Sequence, residues 1–253
     1  MLLLVTDTSG KDGFVGLVRT GNGDEPDKAE VIEEIPLAGG TFSAQLVPQI
    51  AALLKKHGFL KTDIDAFVVV SGPGSFTGLR VGLAVVKALA EILQKPIVPV
   101  SLLEVLARYG RNAAGNEAIQ RVPCRYAVAL DAGRKEAFVG QYEIVFASKI
   151  RHSFRCIAES LLDMQSLAGL VESGSVQWIT TPDRAIADAL RERLGASQGH
   201  AIWDRVERPR SSTIASVGGD KLSAGDTVSP EQLEANYIRR SDADIFSKPA
   251  SGS

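Results

Sequence analysis

The residues Ser71-Gly72-Pro73-Gly74-Ser75-Phe76-Thr77-Gly78-Leu79-Arg80-Val81-Gly82 form the most informative segment of this chain. The segment follows a β-type run at 65–70 and leads into an apolar run that ends at Leu93, so it predicts a strand, a tight turn and a buried helix. Gly78 and Gly82 fall within the first turns of that helix, where a glycine costs roughly 0.5–1 kcal/mol relative to alanine. Two glycines spaced i and i+4 therefore indicate that another backbone or a ligand approaches this face closely.

Two interpretations of this glycine segment remain open. In the first, the free N–H groups of the turn and of the helix start bind a phosphate. The glycine spacing, however, is not that of a dinucleotide-binding turn, and no Gly-Lys-Ser/Thr follows it. In the second, Gly78 and Gly82 let another helix pack tightly against this one. The run 81–93 is apolar almost all round, which indicates burial on more than one side.

The segment 71–90, SGPGSFTGLRVGLAVVKALA, resembles the signature of the bacterial dimerisation subunit of the tRNA threonylcarbamoyladenosine complex, the TsaB or YeaZ family. Weaker agreement extends from residue 2 to about residue 145, and the ending Asn236-Tyr237-Ile238-Arg239 is similar to that of the family. The resemblance implies an α/β fold of the duplicated actin-like type, as in sugar kinases and heat-shock ATPases, with two similar lobes.

A short internal match also indicates two similar halves. Residues 7–16 align with residues 131–140 at an offset of 131 − 7 = 124, with five of the ten positions identical, and each copy follows an apolar strand and begins a hairpin. We therefore predict an N-terminal lobe at 1–110 and a C-terminal lobe at 121–240. The polar composition of 241–253 predicts a disordered tail.

Length and composition are those of an ordinary globular protein, with 253 residues, 45% hydrophobic and 23% charged. A formal net charge of −2 gives no overall electrostatic footprint for nucleic acid, and small basic groups such as Arg239-Arg240 are more simply solvated surface charge. Cys124 and Cys156 form neither a CxxC pair nor a zinc pattern and fit a reducing compartment. The apolar start resembles a strand rather than a signal peptide, and no run is long enough to cross a membrane. We therefore expect a cytoplasmic location without membrane contact.

Asp7 and Asp131 stand at the ends of the two matching strands, where actin-like ATPases hold phosphates and Mg²⁺. With Ser9 they form a candidate vestigial phosphate or metal loop, because paired carboxylates hold metal–phosphate complexes or act as general bases. Aspartate is also common at strand ends, where it binds the backbone of the turn. The nearest candidate for a glycine-rich adenosine loop, 217–220, is weak. An ATP-dependent phosphotransferase or ATPase of the same fold is therefore an alternative.

Other catalytic chemistry finds less support in the sequence. The resemblance implies that the catalytic paralogue carries an HxxxH metal motif, whereas His57, His152 and His200 are too far apart to form one. We expect no metal and no cofactor on this subunit, with ATP and metal on partner subunits. A peptidase is a further alternative, since Ser71 and Ser75 occupy a tight turn, but the pattern is not Gly-x-Ser-x-Gly.

The resemblance implies a scaffold without catalytic residues. Its first two helices would pair with the catalytic actin-like paralogue, and a small ATPase would complete the complex that transfers threonylcarbamoyl to the anticodon-adjacent adenosine of tRNA. tRNA would be met only through that complex. Alone, the chain would form a homodimer, because a large exposed apolar patch is a liability in a monomer. The predicted partner interface consists of Phe42, Leu46, Ile50, Phe76, Thr77, Gly78, Arg80, Gly82, Leu83 and Val86.

Overall fold

Two five-stranded mixed sheets form the framework of the computed structural model, which describes residues 1–21, 29–113, 124–146, 152–204 and 206–238. The predicted tail at 241–253 and the basic pair Arg239-Arg240 lie outside the described residues. Among the described residues, no helix combines the length and the apolar character needed to cross a membrane.

The first sheet comes from the N-terminal part of the chain, in the spatial order β3-β2-β1-β4-β5. Its elements are β1 (Leu2–Asp7), β2 (Gly13–Arg19), β3 (Glu30–Leu37), α1 (Phe42–Lys56), β4 (Ala66–Gly72), α2 (Phe76–Leu93) and β5 (Ile97–Ser101). β1 to β3 are antiparallel, whereas β4 and β5 run parallel to β1. Every residue of β1 and β4 is buried, which explains their continuous apolar runs, since these central strands are covered on both faces.

The second sheet repeats this topology in the order β8-β7-β6-β9-β10. Its elements are α3 (Leu102–Ala113), β6 (Cys124–Gly133), β7 (Glu136–Phe146), β8 (His152–Asp163), α4 (Met164–Glu172), β9 (Ile179–Thr180), α5 (Arg184–Gln198), β10 (Ile202–Trp203) and α6 (Ser211–Ser223). β6 to β8 are antiparallel, and β9 and β10 run parallel to β6. Each strand therefore has a counterpart in the other sheet, and α5 is the counterpart of α2.

Two helices follow a strand of one sheet in the chain but pack against strands of the other. α3 follows the last strand of the first sheet but packs on β6 and β7, and α6 returns from the second half to cover β1, β2, β4 and β5. The contiguous bounds predicted from sequence, 1–110 and 121–240, place most of α3 with the first sheet and α6 with the second, whereas α3 contacts strands of both sheets and α6 packs on the first. Gly218, in the weak candidate for an adenosine loop, lies inside α6, where an added Cβ would be 2.6 Å from the side chain of Val68.

Candidate partner face and interlobe cleft

The glycines of α2 accommodate a loop of the same chain. A Cβ at Gly78 would lie 2.1 Å from the carbonyl oxygen of Thr8, and one at Gly82 would lie 2.3 Å from Thr8 Oγ1. Thr8 Oγ1 in turn donates a hydrogen bond of 2.8 Å to the carbonyl of Gly78. The predicted close approach is therefore real, but the group that approaches these two glycines within the chain is the loop after β1 rather than another helix.

The turn before α2 is closed by the same loop. The N–H of Ser75 donates to the carbonyl of Ser9 at 2.7 Å, and a Cβ at Gly74 would lie 2.2 Å from that carbonyl. Ser75 then caps α2, its Oγ accepting from the N–H of Gly78 at 3.3 Å. Two of the N–H groups that the anion-binding interpretation would offer to a phosphate, those of Ser75 and Gly78, are thus engaged within the chain.

Asp7 holds the turn after β1. Its Oδ1 accepts hydrogen bonds from the N–H of Ser9 at 2.8 Å and from Ser9 Oγ at 2.6 Å. Burial raises the pKa of Asp7, and the two bonds from Ser9 oppose that shift only in part. These contacts are those of an aspartate that fixes a strand-end turn.

Asp131 has the equivalent arrangement in the second hairpin. Its Oδ1 accepts from the N–H of Gly133 at 2.8 Å, and its own N–H donates to Asp183 Oδ2 at 2.8 Å. Asp131 is exposed at the wall of the interlobe cleft, whereas Asp7 is buried behind the loop that lines it. Across the described ranges, no three His, Cys, Asp or Glu side chains are grouped to hold a metal ion.

The interlobe cleft is an open cavity of about 1,230 Å³ between the two hairpin loops and the start of α2. Apolar side chains such as Leu102, Leu130 and Phe138 line part of it. Its charged lining is mixed rather than of one sign, consisting of Lys11, Asp12, Asp131, Arg134 and Arg208. Arg208 is also paired with Asp183 at 3.2 Å. The cleft therefore presents no concentrated positive charge to an anion.

Half of the predicted interface residues belong to the core. Phe42, Leu46, Ile50, Leu83 and Val86 are 0–6% exposed and pack between α1, α2 and the first sheet. An amphipathic helix buries its bulkiest apolar stripe against its own sheet, so these side chains are not available to a partner. The other three non-glycine residues of the set, Phe76, Thr77 and Arg80, are exposed.

The outward sides of α1 and α2 carry an exposed apolar surface that is separate from these core residues. We call it the partner face. It consists of Ala44, Val47, Pro48 and Ala51 of α1 with Val81, Ala84, Val85, Ala88 and Ile92 of α2. Val47 is 50% exposed and Ile92 is 70% exposed. The two helices that carry these residues contact each other.

Tyr237 extends the partner face at the start of α2. Its ring lies 5.1 Å from that of Phe76, and its hydroxyl accepts a 3.1 Å bond from Arg80 Nε. The Arg80 guanidinium lies 3.7 Å from the centroid of the Phe76 ring, a cation–π contact. Sequence reasoning noted the ending that contains Tyr237 but did not connect it with α2, since the two are more than 150 residues apart along the chain.

The segment that carries Tyr237 also ties the sheets together. We call residues 224–238 the strap. The N–H of Asn236 donates to the carbonyl of Ser71 at 2.7 Å, and its side-chain amide donates to Glu159 Oε2 at 2.5 Å. Glu159, on β8, also accepts from Ser101 Oγ at 2.5 Å and from the hydroxyl of Tyr142 at 3.0 Å. One carboxylate thus links the second sheet, the end of β5 and the strap.

Comparison with known proteins identifies the family. A family model described as TsaD, tRNA N6-adenosine threonylcarbamoyltransferase, matches residues 36–179. The tRNA threonylcarbamoyladenosine biosynthesis protein TsaB of Haemophilus influenzae is 30% identical over 246 residues, 94% of each chain. The chain belongs to the TsaB family. The TsaB protein of Bacillus subtilis is 26% identical over 96% of each chain. YeaZ from Pseudomonas aeruginosa, 23% identical, superposes with a TM-score of 0.65 over 94% of this chain and 100% of that structure. The predicted family and the predicted actin-like fold are confirmed.

Proposed function

We propose that this chain is the non-catalytic dimerisation subunit of a complex that transfers threonylcarbamoyl to the anticodon-adjacent adenosine of tRNA. Its partners would be the catalytic actin-like paralogue and a small ATPase, in the cytoplasm, with tRNA met only through the complex. The names of the TsaB relatives support the pathway. The observation that carries the scaffold role is the partner face, an apolar surface on two adjoining helices that the chain itself leaves exposed.

The chemistry of the partner face fits a helix-packing partner. Contiguous apolar patches on soluble proteins mark interaction sites. Alanine and valine at i and i+4 spacing, as at Val81, Ala84, Val85 and Ala88, let a second helix come close and form ridges that fit its grooves. A paralogue with the same fold has two helices in the corresponding place, so a four-helix packing of α1 and α2 against them is the arrangement that we propose.

The two aspartates support a subunit that binds no nucleotide or metal of its own. Asp7 is buried and its Oδ1 accepts two bonds from Ser9, while Asp131 closes its own hairpin turn through Gly133. Both therefore have a structural role that needs no ligand. ATP and metal would then be bound by the partner subunits.

The test is threonylcarbamoyl transfer to tRNA by the purified paralogue and the small ATPase, with and without this chain. Ala84→Arg places a long cation at the middle of the exposed side of α2 and should abolish both paralogue binding and the stimulation of transfer. Ala185→Arg, at an exposed position of the counterpart helix α5, is the matched control and should leave both unchanged. Transfer that does not need the chain, or that is insensitive to Ala84→Arg, would contradict the proposal.

The phosphotransferase alternative is distinguished by ligand binding. Asp7→Asn keeps an acceptor oxygen for Ser9 but removes the charge, so saturable Mg–ATP binding by the isolated chain that this variant loses would favour a phosphotransferase over a scaffold. The peptidase alternative has no comparable support, because Ser71 Oγ donates to the carbonyl of Val100 at 3.1 Å and Ser75 Oγ caps α2.

A further inference from the structure

Two glutamates occupy corresponding places in the two sheets. Glu34 of β3 lies opposite Gly16 of β2, and Glu159 of β8 lies opposite Gly140 of β7. The two glycines are themselves counterparts, because 140 − 16 = 124 is the offset that relates the two hairpins. The duplication therefore places a carboxylate at the same position of the edge strand that follows each hairpin.

Both carboxylates bind the C-terminal part of the described chain. Glu34 Oε2 accepts the N–H of Ser211 at 2.9 Å, at the start of α6. Glu159 Oε2 accepts the side-chain amide of Asn236 at 2.5 Å, near the end of the strap. A hydrogen bond to a charged acceptor is stronger than one between neutral groups. The segment 211–238 is thus bound once by an edge strand of each sheet.

The two oxygens of Glu159 have separate partners. Oε1 accepts from Ser101 Oγ at 2.5 Å and from the hydroxyl of Tyr142 at 3.0 Å, whereas Oε2 accepts from Asn236. Tyr142 is fully buried, so its hydroxyl holds the carboxylate in one orientation. The second sheet therefore presents a fixed acceptor oxygen to the strap.

Asn236 is fixed between the two sheets. Its N–H donates to the carbonyl of Ser71 at 2.7 Å, so its backbone is bound to the first sheet. A Cβ at Gly72 would lie 2.7 Å from the carbonyl oxygen of Asn236 and 3.4 Å from its Cβ, so the strap lies directly against the end of β4. Glu159 holds the side chain from the other sheet. These contacts together set the direction in which the chain continues to the next residue.

That next residue, Tyr237, reaches the start of α2. Its ring lies 5.1 Å from that of Phe76, and its hydroxyl accepts from Arg80 Nε at 3.1 Å. We call Phe76, Arg80 and Tyr237 the arginine cluster. All three are exposed, and exposed side chains that must be ordered on binding lower affinity unless neighbours already hold them. Tyrosine and arginine are also among the residue types that contribute most to interfaces.

We propose that Glu159 is a positioning residue for the partner face. It fixes Asn236, so that Tyr237 holds Arg80 and Phe76 in the arrangement that a partner binds. A residue of the second sheet thereby sets the affinity of a surface carried by helices of the first. The inference rests on the proposed function for the identity of the partner, the catalytic paralogue, and adds a residue outside the partner face on which binding depends.

The experiment exchanges the amide and the carboxylate of this pair. Asn236→Asp sets a second carboxylate against Glu159 Oε2. Glu159→Gln, with its oxygen still bound by Ser101 and Tyr142, sets an amide against the amide of Asn236. Each single variant therefore loses the hydrogen bond. In the double variant the new amide donates to the new carboxylate, so the bond returns with reversed polarity and with the net charge of the wild type.

The first measurement uses the chain alone and needs no partner. The Nε–Hε signal of Arg80 in a nitrogen–proton NMR spectrum is assigned by its loss in Arg80→Lys. Because this group donates to Tyr237, its exchange with water is slowed. Each single variant should speed that exchange by about tenfold. The double variant should return to within about twofold of the wild-type rate.

The second measurement is the Kd of the complex with the catalytic paralogue. Each single variant should raise Kd by about tenfold, and the double variant should return to within about threefold of the wild type. In a Tyr237→Ala background, Asn236→Asp should change Kd by less than about twofold, because Glu159 acts through that tyrosine. A residue that only stabilised the fold would not show this dependence on Tyr237.

Glu143→Gln is the matched control for stability. Glu143 is a buried carboxylate of the same sheet, and it accepts from Arg125 and Arg155. Removing its charge should lower the melting temperature while the Arg80 signal and Kd stay unchanged. If Asn236→Asp unfolds the chain, Asn236→Ala removes the same donor without adding charge and takes its place.

Three outcomes would overturn the proposal. They are single variants with the wild-type Arg80 signal, single variants that bind the paralogue as tightly as the wild type, and a double variant that recovers neither property. The failure of the proposed function is distinguishable from these. If the Arg80 signal responds but the paralogue binds no form of the chain, the proposed function is wrong and the positioning of the arginine cluster stands. If the paralogue binds and the signal does not respond, the positioning alone is wrong.

Discussion

Gly82→Ala adds one methyl group to α2 at a point where the chain has no room for it. The new Cβ would lie 2.3 Å from Thr8 Oγ1 and 3.4 Å from both carbon atoms of the Thr8 side chain. Thr8 is 2% exposed, and its hydroxyl donates to the carbonyl of Gly78. Thr8 cannot turn away without breaking that buried hydrogen bond, and the helix cannot move away without losing contact with its sheet.

The expected loss of stability follows from three opposing contributions. Replacing glycine by alanine in a helix favours folding by about 1 kcal/mol. Overpacking a tight contact opposes it by about 1–3 kcal/mol, and loss of a buried hydrogen bond opposes it by a further ~1–3 kcal/mol. The sum is a destabilisation of roughly 1–5 kcal/mol, which lowers the melting temperature by about 2–4 °C per kcal/mol in a chain of this size.

Thermal unfolding followed by circular dichroism measures this loss against a matched control. Gly169 lies inside α4, and a methyl group added there would have no other described atom within 4 Å beyond its own helix backbone, so Gly169→Ala should instead stabilise the chain by about 0.5–1 kcal/mol. In a Thr8→Ala background the clash is gone, and Gly82→Ala should cost at least ~1 kcal/mol less than in the wild type. A Gly82→Ala chain as stable as the wild type would refute the reasoning. A bulky residue at Gly82 therefore reports on folding and not on association.

Three further predictions separate core, turn and strap. Leu46→Ala, at a fully buried position, should destabilise the chain by about 2–5 kcal/mol, whereas Val47→Ala on the exposed side should change its stability by less than ~0.5 kcal/mol and weaken association in sedimentation. Because burial raises the pKa of Asp7, ionisation of this carboxyl opposes folding as the pH rises from about 4 through the raised pKa. The unfolding free energy of Asp7→Asn should therefore rise relative to that of the wild type over this interval, and the gain should persist at pH 8. A difference in unfolding free energy that stays constant with pH would contradict this. Asn236→Ala removes the donor to Glu159 and should speed hydrogen exchange in the strap and at the start of α2, with exchange unchanged if the strap is held elsewhere.

The sequence predicted the duplicated framework but not the long strand β8. The match between residues 7–16 and 131–140 predicted the two hairpins, and the structure has them as β1–β2 and β6–β7. The sequence did not predict β8, because this strand is stabilised by its pairing with β7 and its own composition does not indicate a strand. The helix that follows, α4, begins at Met164, after Asp163, whose side chain accepts from the N–H of Ser166 at 2.7 Å, and that capping signal is present in the sequence.

Five of the ten predicted interface residues are bulky side chains of α1 and α2 that the structure places in the core. α2 is apolar almost all round, so periodicity could not tell which side is core. Side-chain size does not supply the missing signal either, because Leu83, Val86 and Ala90 are buried whereas Ala84, Ala88 and Ile92 are exposed. Thr8 contacts Gly78 and Gly82, and Tyr237 contacts Phe76. Both are tertiary contacts between distant parts of the chain, which no local sequence pattern predicts.

The duplication itself supports the proposal that the apolar side of α2 binds a partner. α5 occupies the corresponding place in the second sheet, joining β9 to β10 as α2 joins β4 to β5. It buries a stripe of its own, Ile186, Ala187, Leu190 and Leu194. Its outward side, however, carries charge, with Arg184 and Asp188 exposed by 89% and 63% of their side chains. The fold therefore does not require an apolar outer face at this position, and a lone domain is better served by charge there. The outward side of α5 is charged and that of α2 carries exposed alanines and Ile92 between Arg80 and Glu91, and this difference between the two helices is what the proposed binding of a partner to α2 predicts.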